Sequence, residues 1–150
     1  MKKTITKAAV ALAALVATGS AFANPASQAL DHAVQAGAHI FATDTFGGHE
    51  QSFHGTRTTC ATCHVDGGRV MGHLPNGKKI PSLVNAVAIF PRYNPHMHKV
   101  ISLETQIQAC VRNGLLGHAP AYGSRTMVDL VSYLGSLAHG QKVAIGGKPR

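Results

Sequence analysis

Among three cysteines and ten histidines, one group has a spacing that specifies a reaction. Cys60-Ala61-Thr62-Cys63-His64 reads C-x-x-C-H. In this arrangement each thiol adds to one haem vinyl group, and the imidazole that follows becomes the proximal iron ligand. A thioredoxin-like redox pair does not call for the histidine, and no second C-x-x-C exists to complete a four-thiolate zinc cage. The pentad therefore predicts one covalently attached haem c, with Cys60 and Cys63 as the thioether residues and His64 as the proximal iron ligand.

Once Cys60 and Cys63 are consumed, Cys110 is the one thiol left. Three roles fit an odd cysteine: an inert side chain packed as a small hydrophobe, half of an intermolecular disulfide, or an axial thiolate on the iron. Two methionines compete for the same coordination position. Met97 lies in the polar run Pro95-His96-Met97-His98-Lys99, and Met127 lies near the start of an apolar helical pattern that favours the core. His96, His98 and His118 can also be drawn to iron, although a surface histidine needs no ligand to explain it.

The elements that must position these groups read as short helices. Residues Pro25–Thr43 carry an apolar set at Leu30, Val34, Gly37, Ala38 and Phe41, close to helical period. Turn-forming residues mark a loop over 44–55, Asp66-Gly67-Gly68 closes the haem-binding turn, and Pro75-Asn76-Gly77 makes another turn. A short helix is expected within 81–90. Ser102 is placed to cap a helix over 103–113, with Leu103, Ile107, Cys110, Val111 and Gly114 on one stripe. Ser124 caps a last helix whose face is Met127, Leu130, Val131, Leu134 and Leu137.

The ends carry different information. Lys2, Lys3 and Lys7, the apolar stretch 8–17 and Ala21-Phe22-Ala23 form a cleavable export signal over residues 1–23. The stretch is too short to span a bilayer, and no later segment approaches the ~20 apolar residues a transmembrane helix needs. The mature chain is thus expected to be periplasmic and without a membrane anchor. Residues 24–140 form the haem-bearing domain, and 141–150, rich in Gly, Lys and Arg, form a flexible basic tail. The chain contains no Trp, so the porphyrin is expected to complete a thin core. A formal charge of +8, part of which leaves with the signal, suits an acidic redox partner or a small anion. Scattered basic residues with no recognition motif argue against nucleic acid.

The order of these elements resembles the class I cytochrome c fold: all-α, with short helices wrapped around one covalently attached haem. Gly37 and Phe41 match the glycine and aromatic positions of that family's first helix, and Tyr133-Leu134 matches the aromatic-aliphatic pair of its last. Ile80-Pro81-Ser82-Leu83 is similar to its Pro-x-Leu segment, which implies that the Pro81 carbonyl accepts from the His64 ring N–H. A narrower resemblance covers residues 41 to 137. Phe90-Pro91-Arg92-Tyr93, Lys99-Val100-Ile101-Ser102-Leu103-Glu104, Ile107-Gln108-Ala109-Cys110-Val111-Arg112-Asn113-Gly114, Met127-Val128 and Tyr133-Leu134 together look like the catalytic haem domain of thiosulfate dehydrogenases. The haem subunit of the Sox sulfur-oxidation system is a more distant likeness. The resemblance implies that Cys110 is the axial ligand facing the C-x-x-C-H histidine and that thiosulfate reacts at its sulfur, with Arg92, Lys99 and Arg112 as candidates for holding the anion.

One departure weighs on function. Tetrathionate formation removes two electrons, whereas this chain has one haem motif, and the dehydrogenases carry a second haem domain. The expectation is a monohaem cytochrome that passes single electrons in sulfur-compound oxidation, with another cytochrome as redox partner. The alternative is a thiosulfate dehydrogenase-like enzyme or subunit, and a ligand-sensing haem is a third class.

Overall fold

The computed structural model describes residues 24–48 and 57–150. The expected export signal and part of the expected 44–55 loop lie outside the described residues. Helix α1 is Pro25–Thr43, with the Asn24 side chain accepting from the Ala26 N–H at 3.0 Å and Pro25 at a position whose missing N–H costs nothing. The single turn α2 (Cys60–Cys63) leads into a 3₁₀ turn, Asp66–Gly68. Two short antiparallel ribbons follow, β1 (Gly72–His73) with β2 (Lys79–Ile80) and β3 (Arg92–Asn94) with β4 (Lys99–Ile101). Helix α3 (Ala86–Ile89) lies between them, and α4 (Leu103–Cys110) and α5 (Arg125–Leu137) complete the chain.

The sequence pattern finds the helices and misses the ribbons. Each strand is two or three residues long, too short for a period-2 pattern to register. Helix α4 is also shorter than the expected 103–113. From Val111 to Leu115 the chain widens into a π-helical turn and ends with Leu116 in the left-handed region. Ser102 and Ser124 do cap α4 and α5, accepting from Thr105 N–H at 3.2 Å and Met127 N–H at 3.3 Å.

Helices α1 and α5 make the largest contact in the fold. Ala33, Gly37 and Phe41 are the buried residues of α1, so Leu30 does not belong to its packed face and is 57% exposed. The reason is the short crossing: the i, i+4 row through Ala33, Gly37 and Phe41 meets α5, and Leu30 falls outside it. At the crossing a Cβ on Gly37 would collide with the Asp129 carbonyl oxygen and approach Tyr133 Cβ to 2.8 Å. Asp129 is itself 4% exposed, and its carboxylate accepts from Arg125 Nε at 2.8 and 2.9 Å.

This crossing yields a stability prediction whose sign depends on which effect wins. In an open helix Gly→Ala gains about 1 kcal/mol of propensity. At Gly37 the added carbon meets backbone, which cannot rotate away, and overpacking of this kind costs about 1–3 kcal/mol. Gly37→Ala is expected to lower the urea midpoint of the haem-loaded protein. A raised midpoint would show that the two helices part freely.

The basic segment 141–150, expected to be a flexible tail, makes hydrogen bonds to the rest of the domain. Ala144 N–H donates to the Ala88 carbonyl at 2.8 Å, and Gly146 N–H donates to those of Ile89 and Pro91 at 2.9 and 3.2 Å. The buried Asn85 donates to the Lys148 carbonyl at 3.0 Å, and Ser82 N–H donates to the Arg150 carbonyl at 2.6 Å. Backbone groups at the end of α3 and in the segment before it find their partners in the tail, a demand that residue composition does not reveal.

Candidate haem centre

Helix α2 holds the two attachment thiols on one turn. Thr59 N–H donates to Thr62 Oγ1 at 3.0 Å, and His64 N–H returns to the Cys60 carbonyl at 2.9 Å, so the turn closes on itself. The next residues fasten it to the rest of the fold. Gly68 N–H reaches the His64 carbonyl at 3.0 Å, Leu83 N–H reaches the Gly68 carbonyl at 2.7 Å, and the Tyr133 hydroxyl donates to the Gly67 carbonyl at 2.7 Å. Gly67 and Gly68 have φ of 59° and 85°, where a side chain would be strained.

His64 Nδ1 lies 3.3 Å from the Pro81 carbonyl oxygen. A carbonyl accepts only, so Nδ1 carries the proton and Nε2 keeps the lone pair a metal needs. The Phe41 ring tilts against the imidazole with centroids 6.3 Å apart. Burial pushes the His64 pKa down, opposed by the Pro81 bond. The neutral imidazole is the form that binds iron.

Cys60, Cys63, His64 and Cys110 line one cavity of about 500 Å³, whose walls are largely apolar and include Phe41, Leu83, Leu130 and Leu134. Burial, and then the neighbouring Cys110, push the Cys60 thiol up to about 12. The same two causes, in the same order, raise Cys63. Cys110 counts as an exposed residue, and it is exposed toward this cavity; burial still raises its pKa, with partial relief from a Gln106 hydrogen bond. Anionic sulfur in such a wall needs a cation to meet it. A metal supplies that charge and deprotonates a coordinating thiol.

These residues fit a haem. The cavity offers an apolar seat for a porphyrin, two thiols on one turn for its vinyl groups, and a neutral imidazole whose second nitrogen is already hydrogen-bonded. When bound, the group supplies a one-electron ferric/ferrous couple.

The other sequence candidates separate clearly. Met97 and His96, in the turn between β3 and β4, line the cavity with Cys110. Met127 does not: it is 1% exposed inside the core. Its position at the start of α5 turns it into the helix packing. Arg92, Lys99 and Arg112 are also outside the cavity lining. The Arg92 guanidinium sits 5.8 Å over the Phe90 ring, Arg112 donates to Gln108 Oε1 at 3.2 Å, and Lys99 is exposed on β4. His118 packs beside Gly47. Sequence reasoning missed Gln106 and Asn94, both in the lining. The spacing of four between Gln106 and Cys110 on one helix was the available signal.

Fold and site together define a c-type cytochrome domain that carries covalently bound haem. Residues 49–143 match the family described as SoxA/TsdA, cytochrome c domain, and the chain belongs to that family. It is similar to a thiosulfate dehydrogenase of Thiomonas intermedia (strain K12), 34% identical over 103 residues that make up 66% of this chain and 31% of the relative. Two solved structures share the fold, each with a TM-score of 0.57. One is the "as isolated" form of thiosulfate dehydrogenase (TsdBA) from Marichromatium purpuratum, with 24% identity over 78% of this chain and 24% of that one. The other is SoxXA from P. pantotrophus, with 21% identity over 77% and 36%. The chain thus spans only about a third of the curated relative it matches.

Proposed function

We propose that this domain is a periplasmic electron-transfer module of sulfur-compound oxidation, with His64 and Cys110 as the two axial ligands of its haem. The observation that carries this reading is the convergence of Cys110 with Cys60, Cys63 and His64 on one apolar cavity. Membership in a family whose similar proteins are a thiosulfate dehydrogenase and SoxXA supports the sulfur setting. The two-component names TsdBA and SoxXA support a partner subunit, and another cytochrome is the partner that a one-electron haem calls for. The expected signal over 1–23 supports export, and no helix among the described residues is long and apolar enough to cross a membrane.

Thiosulfate oxidation at Cys110 is the second reading, favoured by the sulfur facing the cavity. Two thiosulfate ions form one S–S bond and release two electrons, so an acceptor beyond this single site must take the second. Arg92 and Arg112 are engaged elsewhere, which weakens the case for a local anion clamp and supports the carrier.

Electron counting separates the two. A carrier exchanges one electron per haem with a cytochrome partner, at a rate that falls as salt screens its basic surface, and yields little tetrathionate from thiosulfate. Sustained tetrathionate production with a one-electron acceptor, lost in Cys110→Ala while the haem stays attached, would make the enzyme reading the correct one.

A further inference from the structure

Gln106 stands four residues before Cys110 on α4, and its Nε2 donates to Cys110 Sγ at 3.5 Å, a normal reach for a bond to sulfur. Asn94, at the end of β3, donates from Nδ2 to Gln106 Oε1 at 3.3 Å. Its Oδ1 accepts from the backbone N–H groups of His96 at 2.9 Å and Met97 at 3.1 Å. These contacts fix the orientation of both amides. Two N–H groups claim the Asn94 oxygen, so its NH₂ must face Gln106. Gln106 then has to turn its oxygen to Asn94 and its own NH₂ to the sulfur.

We propose that Asn94 and Gln106 form a positioning relay that aims an N–H at the Cys110 sulfur and thereby limits the charge this sulfur donates to iron. The proposal rests on the reading of Cys110 as axial ligand. Hydrogen bonds to coordinating sulfur are an established lever on reduction potential, because a donor withdraws charge that would otherwise stabilise the ferric state. Gln106 is the group that acts on the sulfur, and Asn94 acts only through Gln106.

The test uses the haem-loaded protein and four forms: wild type, Gln106→Leu, Asn94→Ser and the double variant. Serine is neutral, can still accept from the N–H groups two and three residues on, and is too short to reach Gln106. With Gln106→Leu, the ferric electron paramagnetic resonance spectrum keeps its thiolate character and the potential shifts downward. At the wild-type midpoint the ferric-to-ferrous ratio rises several-fold from unity, the scale of one typical net hydrogen bond. Asn94→Ser shifts the potential the same way by less, and the double variant matches Gln106→Leu alone. Gln106→Met serves where the leucine variant does not accumulate. A thiolate spectrum with a wild-type potential in Gln106→Leu overturns the relay alone, as do additive shifts in the double variant. A wild-type spectrum without thiolate character overturns the ligand reading and the relay together.

Discussion

With Cys110 as the proposed axial ligand, Cys110→Met is expected to raise the reduction potential by on the order of 0.1–0.4 V, a large part of the ~0.8 V that axial ligands span, and to remove the thiolate signature from the ferric spectrum. An anionic sulfur stabilises the ferric state, whereas a thioether is neutral and softer and favours the ferrous state. The residue is well placed for this exchange, since Cys110 ends α4 and lines the cavity that also holds His64. Methionine adds length in a wall that includes Ile107 and Val111, so some strain in packing accompanies the change. Potentiometric titration with optical detection measures the shift. Cys110→Ala makes the complementary case: a spectrum identical to wild type would show that the thiol is only part of the wall, and Met97 would be the ligand, since its turn faces the same cavity.

What the sequence made legible follows from how local each signal is. The pentad is five adjacent residues with a covalent job, and it needed no fold to be read. Helices α1 and α5 were legible because their apolar rows repeat over several turns, and both serine caps were found from single residues. Contacts that depend on close approach of distant segments were not. Leu30 fits the helical period of α1, yet the crossing with α5 is too short to cover it. The tail reads as Gly- and Lys-rich surface, yet its backbone supplies partners to Asn85, Ala88 and Ile89. At the site, charge drew attention to Arg92, Lys99 and Arg112, while the uncharged amides Asn94 and Gln106 are the groups in the lining. A carboxamide in a helix or at a strand end has no pattern that marks it as part of a site until its partners are known.

Cys60→Ser/Cys63→Ser removes the covalent haem and, with it, the cooperative fold. Mass spectrometry after acid-acetone extraction should show one haem per wild-type chain beginning at Asn24, and none on the variant. The stability consequence follows from the size of the cavity. Without the porphyrin about 500 Å³ of largely apolar space is open to water, and each Å² of apolar wall left uncovered forfeits roughly 25 cal/mol of burial. The whole stability of a domain is about 5–15 kcal/mol. The packing of α1, α4 and α5 is therefore expected to loosen when the porphyrin is absent. Helix α2 is affected most, since it buries none of its own residues and is one turn long, far below the length at which an isolated helix is stable. Serine keeps the size of the thiols and leaves His64 and the Pro81 carbonyl in place, so the variant tests attachment, with iron coordination by the histidine preserved. Free haem added to the variant should restore part of the helical circular dichroism through His64, with a melting transition dependent on haem concentration as mass action requires. A haem-free variant that melts as sharply and as high as the wild type would show that the side chains close the core unaided.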